Sequence, residues 1–247
     1  MKSDPDQSDD RRIDFIIIGA QKAGTTALFE HLAGHRDIGL SDVKELHFFD
    51  DEARDWQNPD YGDYHRHFDW AAKRVRGEAT PIYAYWPQAL VRIKAYSPAI
   101  KLVMMLRDPV ERAWSHWRME TARGVETRAF GWCIREGRQR LFDGEPWGHH
   151  RAFSYVERGF YGAQCEAVLS LFPRDQLLVL QADALRLETA TGLEQLAGFL
   201  GVGAFTDVGP RDVHVGRPMG EIPLEVAKWL REVYAADQAR LAGLIGG

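Results

Sequence analysis

The sequence predicts an α/β fold, a single domain with a mainly parallel central sheet flanked by helices. Three short apolar segments have the composition of buried strands, and each is followed by residues with the apolar spacing of a helix. A turn with glycine or proline separates strand from helix in the first two of these units. Strands that alternate with helices are typical of parallel sheets, in which ligands bind beyond the carboxyl ends of the strands.

The first unit begins with the segment IDFIII at residues 13–18. This continuous run of mostly β-branched residues predicts a strand buried on both faces. After a turn with two glycines, residues 25–33 place Ala27, Leu28 and Leu32 at helical spacing. Residues 1–12 are polar and contain four aspartates, so we expect a flexible tail before a single domain at 13–247.

Two further units follow. Residues 100–106 read IKLVMML and predict a strand that ends at a polar turn, with a helix from about Val110. Residues 176–181 read QLLVLQ and predict a strand before a helix at 189–200.

The intervening segments 51–76 and 137–158 are rich in aromatic and polar residues without a clear period. Loops of that length are usually functional, and we expect them to form walls of a substrate site.

Composition excludes some classes of partner. The chain has 247 residues with 31 basic and 36 acidic side chains, so bulk charge predicts no nucleic-acid or membrane partner. Only Cys133 and Cys165 occur, which indicates a reducing compartment and buried thiols. The N-terminus lacks the apolar stretch of a signal peptide, and no segment has the roughly 18 apolar residues of a membrane span. We therefore expect a cytoplasmic protein.

The turn after the first strand, GAQKAGTT at residues 19–26, has the residue types of an anion site. Gly19 and Gly24 allow a tight turn, and the backbone N–H groups at the start of a helix converge on an anion. Lys22 supplies a positive charge, and the hydroxyls of Thr25 and Thr26 can donate hydrogen bonds. The alternative is that glycine and threonine merely cap the helix.

This turn differs from the phosphate loop of nucleotide kinases and ATPases, which is the alternative enzyme class. That motif requires lysine at position 25, where this chain has threonine. The positive charge is at Lys22 instead, which argues against a magnesium triphosphate site.

A second pair of candidates follows the second strand, in the segment RDPVERAWSHWRME. Arg107 ends the strand, and Asp108 with Pro109 predicts the start of a helix. Ser115 is eight positions after Arg107, a little over two helical turns, so the two can face one pocket. The alternative is an arginine in a surface ion pair and a buried helical serine.

Together these segments resemble a known family. FIIIGAQKAGTTAL resembles the 5′-phosphosulfate loop of sulfotransferases that use 3′-phosphoadenylyl sulfate (PAPS), and LRDPVERAWSHW resembles their 3′-phosphate motif. The nearest likeness is to the heparan-sulfate-type and related bacterial branch. KELHFFD at 44–50, GFYGAQ at 159–164 and VGRP at 215–218 add support. The resemblance extends from residue 13 to about 235 and implies the P-loop-like sulfotransferase fold.

The resemblance also implies roles for individual residues. PAPS would be the co-substrate, adenosine 3′,5′-bisphosphate (PAP) the product, and no metal would be required. The implied donor-binding residues are Lys22, Ala23, Gly24, Thr25 and Thr26 at the phosphosulfate, Arg107 and Ser115 at the 3′ phosphate, and Gly216 and Arg217 in a closing loop. Glu45 would be the catalytic base.

His47 is the rival base. Without the family, KELHFFD is better explained as a surface carboxylate beside a core aromatic pair. We expect partial burial against Phe48 and Phe49 to increase the affinity of Glu45 for a proton. Lys22 would neutralise the charge that develops on the leaving oxygen.

The sequence leaves the acceptor open. Glycan-modifying members often have a lysine where this chain has Ala79, and often a lysine in place of Val215, so a heparan-like acceptor is not implied. A hydroxyl or amine of a small molecule, carbohydrate or natural product remains, and the oligomeric state is not indicated. A non-catalytic nucleotide-binding module is a further alternative.

Histidines 65, 67, 149, 150 and 214 lack the spacing of a zinc site, and we expect them at the surface or in the acceptor loops.

Overall fold

A computed structural model describes residues 11–71, 75–209 and 220–246. In this part of the chain, the central sheet contains five parallel strands. The strands are β1 (Phe15–Gly19), β2 (Ile38–Leu40), β3 (Val75–Ala79), β4 (Lys101–Leu106) and β5 (Leu177–Gln181). Their order across the sheet is β2-β3-β1-β4-β5. The predicted α/β class with a parallel sheet is confirmed.

Strand β1 occupies the middle of the sheet. All five of its residues are buried, and it pairs in parallel with β3 on one side and β4 on the other. The pairing aligns Ile17 with Ala79 and with Val103. A strand with neighbours on both sides and helices over both faces has no solvent-facing positions, which explains the unbroken apolar run.

Helices connect and cover the strands. They are α1 (Thr25–Ala33), α2 (Gly62–His65), α3 (Ala89–Tyr96), α4 (Pro109–Ala122), α5 (Phe130–Cys133), α6 (Tyr161–Leu171), α7 (Ala182–Leu187), α8 (Thr189–Leu200) and α9 (Leu224–Ile245). Short 3₁₀ helices lie at Glu136–Phe142, Glu157–Gly159 and Arg174–Gln176. The predicted helices at 25–33 and 189–200 have the predicted bounds, and the helix expected from about Val110 begins one residue earlier.

The buried apolar residues form two clusters. The larger cluster surrounds the sheet and includes Phe15, Leu102 and Leu193. The smaller one joins α4 and α5 to α9, with Ala113 and Leu230 among its members.

Other sequence expectations have mixed outcomes. Cys133 and Cys165 are unpaired and buried, as expected. His65 is a core residue bonded to the Tyr96 hydroxyl at 2.9 Å, so its placement at the surface or in an acceptor loop was wrong. Among the described residues, no helix combines the length and apolar composition needed to cross a membrane. Residues 1–10 of the expected tail and His214 lie outside the described residues.

Candidate functional site

The turn between β1 and α1, here called the anion loop (residues 19–26), leaves the start of α1 open. Gly24 precedes the helix with φ 87°, a left-handed conformation that favours glycine. No side chain in the described part of the chain caps α1. The first N–H groups of the helix, including those of Thr25 and Thr26, have no intrahelical partner and lie at the positive end of the helix dipole. Ala23 is fully buried, so only its backbone could reach a ligand.

Lys22 brings a cation into this loop. Its backbone is also left-handed, with φ 70°, and its Nζ lies 3.6 Å from the Met119 sulfur on α4. Burial, and next the positive charge of Arg123, lower the pKa of Lys22. The charge of Glu45 raises that pKa, and the charge of Arg107 lowers it.

A second loop, here called the acidic loop (residues 41–50), reaches this neighbourhood from β2. The Glu45 N–H donates to the carbonyl of Ala79 at the end of β3, at 2.9 Å. Glu45 and His47 both have positive φ, 64° and 54°, which is uncommon for residues other than glycine. The backbone of the acidic loop is therefore not extended at these two residues. Glu45 Oε1 lies 2.5 Å from Lys44 Nζ, and its Oε2 lies 3.8 Å from His47 Nε2.

Behind Glu45, His47 is held by a buried carboxylate. His47 Nδ1 lies 2.9 Å from Oδ2 of Asp50, which is fully buried and also bound by Arg151. The hydrogen bond with Asp50 raises the pKa of His47. Burial alone would raise the pKa of Asp50, but His47 and Arg151 together lower it. When the His47 ring is neutral, Nδ1 carries the proton and donates it to Asp50, and the unprotonated Nε2 faces Glu45.

The predicted burial of Glu45 against the neighbouring phenyl rings stays a prediction. Phe48 and Phe49 are buried in an aromatic cluster that includes Trp56 and Tyr64. Glu45 keeps 36% of its side chain exposed. Its carboxylate oxygens lie near Lys44 and His47.

At the end of β4, Arg107 lies close to the anion loop because the Ala20 N–H donates to the Met105 carbonyl at 2.7 Å. Its guanidinium is bonded to Glu111 Oε2 at 2.6 and 3.1 Å, so the ion pair left open by the sequence is present. One third of the Arg107 side chain is exposed, which leaves it accessible to an anion. Ser115 is half-buried two turns along α4.

Sequence reasoning missed Arg158, a buried cation behind the anion loop. Its guanidinium donates to the Gln21 side chain, to Ser154 Oγ at 2.9 Å and to the Arg151 carbonyl at 2.6 Å. Burial lowers the pKa of Arg158 to about 10, and its side chain is 2% exposed. These bonds go to neutral acceptors, so this positive charge adds to the potential at the loop.

Asp50, Lys44 and Arg151 were missed as well. Asp50 follows His47 by three residues within KELHFFD, a local signal that could have been used. Arg151 lies 101 positions from Asp50, and nothing in the sequence links the two. Gly216 and Arg217 lie outside the described residues, so their predicted contacts stay predictions.

Comparison with known proteins identifies related chains. Residues 12–208 match the family described as "Sulfotransferase domain". Heparan sulfate glucosamine 3-O-sulfotransferase 3B1 of Mus musculus is 30% identical over 195 residues, which are 76% of this chain and 45% of that protein. Bifunctional heparan sulfate N-deacetylase/N-sulfotransferase 3 of Homo sapiens is 28% identical over 207 residues, 78% of this chain and 23% of that protein. The chain thus spans less than half the length of these curated relatives.

A solved structure covers nearly the whole chain. A sulfotransferase from Alicyclobacillus acidocaldarius superposes with a TM-score of 0.79 and 28% identity, covering 96% of each chain. The likeness therefore includes the sheet and the loops that follow its strands.

Proposed function

The chain belongs to the sulfotransferase-domain family, and on that premise we propose that it transfers a sulfuryl group from PAPS to a hydroxyl or amine of a carbohydrate or other small molecule. The observation that carries the proposal is that Lys22, Glu45 and Arg107 lie at the carboxyl ends of the paired strands β1, β3 and β4, beside an uncapped helix start. This arrangement supplies cations for the donor and a carboxylate for the acceptor. The nucleotide kinase alternative is not favoured.

The donor would be held from two sides. The proposed phosphosulfate ligands are the open N–H groups and hydroxyls of Thr25 and Thr26, with Lys22. Arg107 would exchange its bond with Glu111 for the 3′ phosphate, with Ser115 beside it. Arg158 would act from behind the loop through its charge and its bond to Gln21. Gly216 and Arg217 are proposed as donor-binding residues of a closing loop, on the ground of the family resemblance alone.

In the transfer step, the acceptor oxygen or nitrogen forms a bond to sulfur while the bond from sulfur to the bridging phosphate oxygen breaks. The acceptor proton passes to Glu45, and PAP leaves with the electrons of the broken bond. We propose Lys22 as the cation that offsets charge on the bridging oxygen. Oε2 of Glu45 is the proposed proton acceptor, because Oε1 is paired with Lys44.

A carbohydrate acceptor is supported by the two curated relatives, whose names specify heparan sulfate. The segment 136–153 offers exposed rings, Phe142 and Trp147, which suit the apolar face of a sugar or an aromatic molecule. Arg151 ties this segment to Asp50 of the acidic loop. The proposed location is the cytoplasm, on the ground of two unpaired cysteines.

The test begins with PAP binding by calorimetry, with and without magnesium. PAP should bind equally well in both, and Lys22→Ala should weaken binding roughly 10- to 100-fold because a charge-assisted bond is lost. Lys228→Ala, an exposed lysine on α9, is the matched control and should change nothing. A screen of carbohydrate, phenol and amine acceptors with PAPS then follows. Binding that requires magnesium, or no sulfated product in any class, would refute the proposal.

A further inference from the structure

The segment at residues 78–84, here called the bridging segment, lies between the anion loop and the acidic loop. On one side, the N–H groups of Thr80 and Ala84 donate to the carbonyls of Ile17 and Ile18 at 3.1 and 2.9 Å, just before the anion loop. On the other side, the carbonyl of Ala79 accepts the Glu45 N–H. The bridging segment thus fixes how far Glu45 lies from the anion loop.

Tyr83 makes the second attachment of the acidic loop to this segment. Its hydroxyl accepts the backbone N–H groups of Phe48 and Phe49, at 3.0 and 3.3 Å. These residues lie between His47 and Asp50, so the hydroxyl holds the part of the loop that carries the His47–Asp50 pair. Tyr83 is fully buried, and these N–H groups would have no water to replace the phenol.

A buried carboxylate orients this phenol. Glu78 accepts hydrogen bonds from the hydroxyls of Tyr64 at 2.9 Å and Thr80 at 2.6 Å. The Tyr83 N–H donates to the Thr80 carbonyl at 3.1 Å, and an interaction with the Tyr83 hydroxyl lowers the pKa of Glu78. Glu78, Thr80, Tyr64 and Tyr83 are all fully buried, and a buried polar network of this kind restricts its members to one arrangement when every group is satisfied.

We propose that Tyr83, oriented by Glu78 and Thr80, is a positioning residue that holds Glu45 and His47 at the correct distance from the sulfuryl donor. The inference rests on the proposed function, in which Glu45 takes the acceptor proton. Tyr83 does not touch the reacting atoms and acts through the acidic loop. Small displacements of a reacting group reduce rate steeply, so the effect belongs in the catalytic step rather than in donor binding.

The test compares Tyr83→Phe with Tyr96→Phe. Tyr96 is an equally buried phenol of the same aromatic cluster, but its hydroxyl accepts the N–H of Ile13, far along the chain from the acidic loop. Tyr83→Phe should lower kcat at least roughly 10-fold, with the Kd for PAP within two-fold of wild type. Tyr96→Phe should leave kcat within two-fold. Equal kcat effects in the two variants would overturn the proposal.

Hydrogen exchange separates this outcome from failure of the proposed function. The amides of Phe48 and Phe49 should exchange at least ten-fold faster in Tyr83→Phe and at the wild-type rate in Tyr96→Phe. If wild type transfers no sulfuryl group, the proposed function fails, and unchanged exchange at these amides would still refute the role of Tyr83. Should Tyr83→Phe not fold, Thr80→Val removes one donor to Glu78 at constant shape. A wild-type kcat in that variant would then count against the network.

Discussion

Glu45 and His47 are the two candidate bases, and their environments differ. Glu45 is paired with Lys44, whereas His47 is paired with buried Asp50. The pairing raises the pKa of His47, so His47 is charged over a wider pH range than an ordinary histidine. A charged imidazole cannot take a proton but can stabilise the nearby Glu45 carboxylate. This difference favours Glu45 as the base.

Replacing each base in turn tests this assignment. Glu45→Gln should lower kcat by roughly 10²- to 10⁴-fold, the range for loss of a general base, with PAP affinity unchanged. His47→Ala should have a smaller effect, since it removes a neighbour of the base. The pH profile of kcat provides the control. If His47 were the base, Glu45→Gln would stay active and its rate would rise with pH through a pKa above 6.5.

Glu78 gives the bridging segment a pH dependence of its own. Burial raises the pKa of Glu78 to about 7, despite hydrogen bonds from Thr80, Tyr64 and Tyr83, and the nearby charge of Asp50 acts in the same direction as burial. Between the ordinary pKa of 4.5 and about 7, the folded state keeps a proton that the unfolded state has released. The free energy of unfolding therefore falls as pH rises across this interval.

The substitution Glu78→Gln should remove this dependence. The free energy of unfolding of the variant, minus that of wild type, should therefore increase from pH 5 to pH 8, by on the order of 3 kcal/mol at most. Urea unfolding at the two pH values measures the difference. Glu225→Gln, at an exposed position on α9, controls for the loss of one negative charge. A Glu78→Gln difference that is the same at both pH values would contradict the assignment.

At the scale of elements, strands were predictable where burial alone determines the composition. β1, and β4 after its first residue, are continuous apolar runs because both are buried on both faces. β5 is an edge strand with half-buried residues, and it is apolar except for its last residue. β3 was missed because its sequence, VRGEA, contains a glycine and a glutamate at buried positions. Gly77 lies under the Phe15 ring, where an added Cβ would come within 2.4 Å, and Glu78 is tolerated through its hydrogen bonds. Both reasons are tertiary and leave no local pattern.

The residues of the proposed site likewise include some that a local sequence pattern predicts and some that only the fold brings together. The anion loop is a local strand-turn-helix feature, and its glycines, lysine and threonines could be identified from spacing. Arg158 contacts Gln21 across 137 positions and Arg151 contacts Asp50 across 101, so these pairs exist only after folding. The sequence therefore located the donor half of the proposed site better than the groups that support it from behind.

At the scale of the whole molecule, α9 packs against the segment that carries Arg158. The Tyr234 hydroxyl donates to the Val156 carbonyl at 2.9 Å, and Leu230 is fully buried in the smaller core cluster. Asp237 accepts the N–H groups of Gly162 and Ala163 at 2.8 and 2.9 Å, which caps the start of α6. Helix α9 thus stabilises the part of the fold behind the anion loop, although it contributes no residue to the proposed site.

The close approach of α6 and α9 depends on Gly162. A Cβ at this position would lie 2.5 Å from the backbone oxygen of Asp237, which cannot move without displacing α9. Gly162→Ala should therefore lower the free energy of unfolding by about 2 kcal/mol, within the range for overpacking a well-packed contact. Gly198→Ala on α8 is the matched control, because no atom lies within 4 Å of its added Cβ. That variant should gain about 0.5 to 1 kcal/mol from helix propensity. Thermal unfolding of the two variants should then shift Tm in opposite directions, and a Gly162→Ala protein as stable as wild type would show that α9 does not hold α6 in this way.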